Sequence, residues 1–366
     1  MVIKKLKAEN FRNIKSCDID FYPGVNILYG DNAQGKTNAV EAMYIFARGK
    51  SFRASEDKEL VKFGEDGFRI YVEYEDKKGL NTLEYAFFGR ERRRKKNGYK
   101  IEKIKEMIGN FKAVLFYPDD LSLVKDSPEE RRAFLNVAIS QCYDSYVNYY
   151  YSYKKALENR NCLLKFASKG MFVDENELIS WSHYMAEYAS QIYLMRREYV
   201  EKLKFYSKKI MNEISDGKEE LDISYKSDIK CNLSDIKEIK EEYKRVFTSE
   251  IEREKAVGSS LFGVHRDDLL ININGNSARL FASQGQQRSI VLALKLGEGE
   301  VNKDICGEYP VFLFDDVLSE LDEKRKKYVL DGIGEKQIII TSCEKDNSNG
   351  KEDKKIKVVS GEYKVL

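Results

Sequence analysis

Residues 25–47, VNILYGDNAQGKTNAVEAMYIFA, restrict what this chain can fold into more than any other stretch. Gly30 and Gly35 bracket four residues and lead into Lys36 and Thr37. An apolar, strand-like run precedes them. A helical pattern with Val40, Met43, Tyr44 and Ala47 on one face follows. This is the pattern of a phosphate-binding loop between a strand and a helix. Glycines let backbone N–H groups turn inward around phosphates, and the helix N-terminus adds favourable partial charge. The candidate nucleotide contacts are Gly30, Asp31, Asn32, Ala33, Gln34, Gly35, Lys36, Thr37 and Asn38. Lys36 is expected to reach the β- and γ-phosphates, and the Thr37 hydroxyl to ligate Mg²⁺.

Such a loop needs a second carboxylate directed at Mg²⁺ from the end of a buried strand. PVFLFDD, Pro310 to Asp316, supplies it: a continuous apolar run, as expected of a parallel strand buried on both faces, ends in two acids. Adjacent carboxylates there are costly unless a cation compensates them. Asp315 is assigned to Mg²⁺, and Asp316 to orienting or deprotonating an attacking water. No guanine-reading N-K-x-D sequence occurs at a fitting place, since NKDI at Asn302 has the wrong spacing. Adenine, and hence ATP, is the expected nucleotide.

The rest of the chain sorts into three zones. Residues 1–125 and 256–366 mix short strands such as FRIYVEY, AVLFYP, LLININ and QIIITS with helices, whereas 126–255 reads as helical and rich in Tyr, Lys and Glu. An α/β domain split by a helical arm is the implied organisation. In the arm, Ser127, Pro128 and Glu130 read as a capping box with proline at the first helical position. Leu135, Ile139, Cys142, Tyr146, Tyr149, Tyr153 and Ala156 form one heptad seam. Leu178, Trp181, Met185, Tyr188, Ile192, Met195 and Tyr199 form another. With Gly170 at the turn, the expectation is an antiparallel hairpin of two helices of roughly 35 residues, each about 50 Å long. Its tyrosines are expected in the core. EKDNSNGKEDKK, Glu344 to Lys355, reads as an exposed loop.

Composition excludes several classes. No stretch reaches the ~18 consecutive apolar residues of a membrane span. The N-terminus lacks the apolar segment of a secretory signal, so a cytoplasmic location is expected. Cysteines 17, 142, 162, 231, 306 and 343 form no C-x-x-C pair, and with two histidines neither a zinc site nor a disulfide framework is indicated. The net charge of +2 is modest for a nucleic-acid binder. Locally, however, Arg90, Arg92, Arg93, Arg94, Lys95 and Lys96 stand beside an Asn97–Gly98 hairpin turn. They read either as a solvated hairpin tip or as a ridge contacting DNA phosphates.

ASQGQQRS, Ala282 to Ser289, places a polar, glycine-containing stretch at the mouth of an apolar helix. The order SQGQQR, apolar helix, FLFDD, SELD (Ser319 to Asp322), QIIITS resembles ABC-type ATPase heads. The implied fold is α/β: a P-loop ABC-type head with mixed sheets and an inserted helical-hairpin arm. In that superfamily the signature loop completes a partner subunit's site, so Ser283, Gln284, Gly285 and Gln286 are expected to meet nucleotide across a dimer. Nearly end to end, the chain more closely resembles the RecF family of recombination and repair ATPases. The matching pieces are NFRNI (Asn10 to Ile14), GKTNAVEAMY, KSFR (Lys50 to Arg53), FYPDDLSLVKDSPEERRAFLN, ALENRNCLLK, GVHRDD (Gly263 to Asp268), SQGQQRS and FDDVLSELD.

That resemblance implies a weak, DNA-stimulated ATPase with Mg²⁺ and ATP as cofactors and Lys36 and Asp316 in catalysis. It implies a homodimer closing on ATP, which binds duplex DNA and single-strand/double-strand junctions. With RecO- and RecR-type partners it would help load the strand-exchange protein at gaps and stalled forks. Departures from the family pattern are Ala33 in place of glycine, Phe52 in place of histidine and Val264 in place of proline. No histidine follows QIIIT, so Thr341 or Ser342 is expected to stand in for the switch histidine of transporter-type heads, and no Q-loop glutamine is assigned. A structural-maintenance head would need hundreds of residues in the insertion, against about 130 here. A transporter subunit would carry a switch histidine and a consensus signature. A nuclease of the overcoming-lysogenisation type would need a further acidic metal domain.

Overall fold

A computed structural model describes residues 1–229, 235–332, 334–343 and 353–365. Cys231 and most of the expected loop at Glu344 to Lys355 lie outside the described residues. In chain order the first elements are β1 (Val2–Phe11), β2 (Ile14–Asp20), β3 (Val25–Tyr29), α1 (Lys36–Arg48), β4 (Gly67–Asp76), β5 (Gly79–Phe88), β6 (Glu91–Lys96), β7 (Tyr99–Lys100) and β8 (Ala113–Phe116). Next come α2 (Ser122–Lys125), α3 (Pro128–Cys142), α4 (Asp144–Ala167), α5 (Glu175–Ile214), β9 (Leu221–Lys226), α6 (Ile236–Ser249), α7 (Ile251–Val257), β10 (Asp268–Ile273), β11 (Asn276–Ser277) and α8 (Ala278–Phe281). The last are α9 (Gln284–Cys306), β12 (Val311–Asp315), α10 (Glu323–Asp331), β13 (Ile338–Ser342), β14 (Lys354–Val359) and β15 (Glu362–Val365). The chain divides into two compact units: residues 1–121, 206–219 and 283–366 in one, 122–205 and 220–282 in the other.

The first unit carries two sheets. One is antiparallel, in the order β2-β1-β4-β5-β6-β7, and its strands alternate buried and exposed residues. The other runs β15-β14-β3-β13-β12-β8; all its strands are parallel except the edge strand β15. Every residue of β3, β8, β12 and β13 is buried, which is why VNILY, AVLF, VFLFD and IIITS are unbroken apolar runs rather than alternating ones. Phe116 and Phe314 stack across neighbouring strands with ring centroids 4.0 Å apart. Helix α1 packs on β1 of one sheet and on β8, β12 and β13 of the other. Gln337, fully buried, accepts from the Ile3 amide at 2.7 Å and donates to the Ile3 carbonyl at 2.9 Å, pinning β1 beside β13.

The second unit holds the antiparallel helices expected of the arm. Arg160 of α4 bonds Ser182 of α5, and Tyr146 of α4 bonds Arg196 of α5, so partners move in opposite directions along the two helices. The two-helix expectation is corrected in detail. The first seam breaks at Tyr143, whose φ of −135° and ψ of 108° separate a 15-residue α3 from a 24-residue α4, while α5 runs for 40 residues. Ser127 is the N-cap of α3 with Pro128 after it, but its side chain makes no cap bond, so the capping box with Glu130 does not form. The zone expected to be helical also contains β9, and LLININ pairs with it as β10. Residues 256–282 therefore belong with the second unit, not with the returning α/β zone, because their ladder partners lie there.

Two motifs that carry the family resemblance are the internal frame of this unit. From ALENRN, the fully buried Arg160 guanidinium pairs with Glu254 at 2.6 Å and bonds Ser260 and the Phe247 carbonyl. From GVHRDD, the Val264 carbonyl takes an N–H of Arg196 at 2.6 Å, and Asp267 accepts from Tyr225. A peptide carbonyl serves whether residue 264 is proline or valine.

Candidate nucleotide-binding site

The loop after β3 is shaped by conformations that few residues adopt. Gly30 has φ +155°, and a Cβ there would lie 2.2 Å from the Val358 carbonyl oxygen of β14. Gly35, the N-cap of α1, has φ +114°. Ala33 sits at φ +62°, in the left-handed region that glycine occupies at lower cost. The loop is braced from outside. Asn13 donates to the Ala33 carbonyl at 3.3 Å, and Asn38 donates to Asn13 at 2.7 Å. The β14–β15 hairpin contributes the Ser360 amide to the Gln34 side chain at 2.5 Å, the Gly361 amide to the Gln34 carbonyl at 2.8 Å, and the Tyr363 hydroxyl to the Gly35 carbonyl at 2.8 Å. Asp31 and Asn32 are exposed at the rim. The Lys36 ammonium is on the inside of the loop, donating to the Gly30 and Asp31 carbonyls at 2.6 and 2.8 Å, with the Cys343 sulfur 3.8 Å away.

The acids arrive from β12. Strand β13 lies between β3 and β12, so the carboxyl ends of all three line up and Thr341 stands in register beside Asp315. Asp315 is 4% exposed, and its Oδ1 accepts from the hydroxyls of both Thr37 and Thr341 at 2.9 Å each. Burial pushes this carboxyl above its ordinary range, against the pull of the Thr37 and Thr341 hydroxyls. A hydroxyl and a carboxylate 2.9 Å apart form a set of hard oxygen donors suited to Mg²⁺, which takes few protein ligands and completes its shell with water and phosphate. Asp316, the next residue, is exposed and left-handed at φ +59°, and its amide donates to the Thr341 hydroxyl at 2.9 Å.

Ser283 is the N-cap of α9 and forms a capping box with Gln286: the Gln286 amide donates to Ser283 Oγ at 3.3 Å, and the Ser283 amide to Gln286 Oε1 at 2.9 Å. Ser283, Gln284 and Gly285 are exposed, and the bonds of this helix end stay within it. The following residues tie it to SELD. Arg288 bonds the Glu320 carbonyl at 3.1 Å, and Arg325 donates to Ser289 at 2.6 Å.

The basic segment forms β6 and the start of the expected hairpin, with Asn97 and Gly98 at φ +50° and +81°. Strand alternation divides it. Arg92 lies over Phe87 and pairs with Asp57, Arg94 lies over Tyr85, and Lys96 donates to Asn110 at 2.5 Å. Arg93 and Lys95 point to the opposite face, where Glu91 lies 2.8 Å and Glu84 3.6 Å away; Arg90 is exposed in the preceding turn. The six cations are therefore not one ridge. Sequence reasoning also missed a buried charge cluster beside the loop. Glu41 of α1, fully buried, accepts from Arg12 at 2.8 and 3.0 Å and from Ser51 at 2.5 Å, and Arg53 bonds Asn38 at 3.1 Å. Its only trace in the sequence was the quoted strings NFRNI and KSFR.

Comparison with known proteins agrees with this architecture. The family model described as "RecF/RecN/SMC N terminal domain" matches residues 2–365. The DNA replication and repair protein RecF of Acetivibrio thermocellus is 39% identical over 369 residues, covering 99% of each chain. RecF of Clostridioides difficile (strain 630) is 38% identical, covering 94% of this chain and 92% of that one. A solved structure of the recombination mediator protein RecF with ATPγS in the RecFOR pathway superposes with a TM-score of 0.92 at 36% identity, covering 100% of this chain and 98% of that one. An SMC head, at TM-score 0.59 and 15% identity, shares the fold. The fold is thus that of an ABC-type ATPase head, and the chain belongs to the RecF family of DNA replication and repair proteins.

Proposed function

We propose that this protein is an ATP-driven DNA clamp of recombinational repair. The observation that carries the reading is the meeting of Thr37, from the loop helix, with Asp315, from the end of β12, beside a loop that encloses the Lys36 ammonium. Solved RecF relatives with ATP and ATPγS support ATP as the nucleotide. When bound, Mg²⁺ would supply charge neutralisation at the β- and γ-phosphates. Thr37 and Asp315 would hold it, Lys36 and the amides of residues 30–38 would bind the phosphates, and Asp316, exposed at the strand end, would orient or deprotonate water.

In this reading the exposed end of α9, Ser283 to Gln286, meets the nucleotide of a second copy, where the helix dipole and the amides of the first turn favour phosphate. ATP closes the dimer and slow, DNA-stimulated hydrolysis reopens it. Arg90, Arg93 and Lys95 are the members of the basic segment placed to contact DNA phosphates, Arg93 and Lys95 by exchanging their acid partners Glu91 and Glu84; Arg92 and Arg94 lie over Phe87 and Tyr85, and Lys96 bonds Asn110. Phosphate contacts carry little sequence information, so selection of junctions by shape is expected. The RecFOR pathway named for the solved relative supports partners of RecO and RecR type, with which this protein would help load the strand-exchange protein at single-strand gaps.

Light scattering tests this directly. Mass should double with Mg-ATP or a non-hydrolysable analogue but not with ADP. The Ser283→Arg variant should stay monomeric, and duplex DNA should be retained by the doubled species. A monomer under every condition would remove the dimer mechanism and leave Ser283 an ordinary helix cap.

A further inference from the structure

We infer that Thr341 is the positioning residue of the acidic pair: one hydroxyl bridges the carboxylate of Asp315 and the backbone of Asp316, and so sets both. The inference rests on the nucleotide reading above and deepens it. Thr341 is 2% exposed and stands in register with Asp315 on the strand that separates β12 from β3. It donates to Asp315 Oδ1 and accepts from the Asp316 amide, both at 2.9 Å. The hydroxyl thus uses its one donor on Asp315 and an acceptor lone pair on Asp316, two consecutive residues.

The second bond has a specific task. Asp316 adopts φ +59°, a left-handed conformation that aspartate visits more readily than most residues with a side chain and that bonds at both ends of the residue hold here. Its amide lies one residue past the end of β12, and the Thr341 hydroxyl is its acceptor. Ser319 Oγ holds the other end of the residue, donating to the Asp316 carbonyl at 2.8 Å. Asp315 Oδ1 has two hydroxyl partners of different character. Thr37 sits at the head of the loop helix and is the hydroxyl that would turn a lone pair towards a cation. Thr341 belongs to the sheet interior and stays, so the carboxylate keeps its orientation when Thr37 changes partner.

The variants T341V, T341S and T341A separate positioning from packing, because valine keeps the shape and serine keeps the hydroxyl. T341V should lose roughly tenfold to a hundredfold in kcat, the scale of one charge-assisted hydrogen bond, while the ATP concentration at half-saturation changes by less than about threefold. Its Mg²⁺ requirement should rise several-fold, and T341S should restore both. In protein without nucleotide, the Asp316 amide should exchange with solvent about tenfold faster in T341V and T341A than in wild type or T341S. Equal kcat and equal exchange in T341V and wild type would overturn the inference. If wild-type protein neither binds nor hydrolyses ATP, the nucleotide reading fails by itself, and the exchange rates still decide whether Thr341 holds Asp316.

Discussion

Two glycines in α9 should respond to the same substitution with opposite signs. Replacing glycine by alanine inside a helix stabilises by about 0.5–1 kcal/mol through backbone entropy. At Gly285, in the first turn, an added Cβ would meet nothing within 4 Å, so Gly285→Ala should be neutral to mildly stabilising. At Gly299 the added Cβ would lie 2.2 Å from Phe312 Cζ and 2.7 Å from Cε1, far inside the roughly 3.5–4.0 Å of a carbon–carbon contact. Phe312 is 1% exposed in β12 and packs against Phe116, so the ring has little room to retreat. Overpacking of this kind costs about 1–3 kcal/mol. Subtracting the helix gain leaves Gly299→Ala destabilised by up to roughly 2.5 kcal/mol. Urea unfolding followed by far-UV circular dichroism measures both variants. The cycle with Phe312→Leu, which shortens the offending ring, should recover at least about 1 kcal/mol of coupling. Stabilisation by Gly299→Ala, or a cost unchanged in the Phe312→Leu background, would refute the packing argument. Gly285→Ala carries a functional corollary: a methyl group on the proposed phosphate-facing turn should weaken ATP-dependent mass doubling while the fold gains stability.

Ala33→Gly relieves a left-handed alanine and should tighten ATP binding severalfold with little net change in stability, since glycine's gain of about 1–2 kcal/mol is offset by unfolded-chain entropy; isothermal titration reads the affinity. Asp316→Asn should retain ATP binding and lower kcat by at least about a hundredfold, whereas Lys36→Ala should lose binding itself; filter binding and phosphate release distinguish the two. Glu254→Gln leaves the buried Arg160 guanidinium without its counter-charge and should destabilise the arm unit by about 3–5 kcal/mol in thermal unfolding. For pH, burial lowers His265 to about 4, so the stability from keeping it neutral is present above its ordinary value near 6.5 and is lost as pH falls through 4. Burial raises Asp267 to about 6, so its contribution is present below 3.8 and is lost as pH rises through 6. The two oppose each other between pH 6 and 4, so His265→Gln should become more stable relative to wild type as pH falls through that window.

Much of the site was legible because its residues are constrained by local chemistry. The glycines, Lys36 and Thr37 were readable from a loop pattern whose backbone conformations admit few alternatives, and the strands from apolar runs that only a doubly covered parallel sheet requires. Asn97–Gly98 was readable for the same reason, both residues needing φ above zero. What escaped was set by pairing across long distances. The break at Tyr143 leaves the heptad spacing intact, so the seam read as one helix. Strand β9 has a partner, β10, more than forty residues on, and LDISYK alone is too short to separate from the helical zone around it. The basic segment left two readings open, a solvated hairpin tip or a ridge, because its sequence alone does not say which side chains share a face. Placing β6 beside β5 aligns Arg92 with Phe87 and Arg94 with Tyr85, which divides its charges between the two faces of the sheet.

The position of β13 explains why the site depends on residues that no motif contains. If the phosphate loop and the Asp315 strand were neighbours, a ladder of backbone bonds would fix their separation. Here β13 intervenes, so the strands that carry the loop and Asp315 stand two strand spacings apart, and side chains must close the gap. Thr37 reaches across from one side, and Thr341 holds Asp315 from the strand between. The loop's outer wall comes from the β14–β15 hairpin, which holds Gln34 and Gly35 through Ser360, Gly361 and Tyr363. Each brace is separated from the loop by some three hundred residues, and none forms until the two ends of the chain share one sheet. Nucleotide affinity should therefore be acquired in one step with that sheet. Refolding followed simultaneously by ATP-analogue fluorescence and by exchange protection of the β13 amides should give one rate. Binding that precedes β13 protection would show that the loop organises alone and that the braces are dispensable.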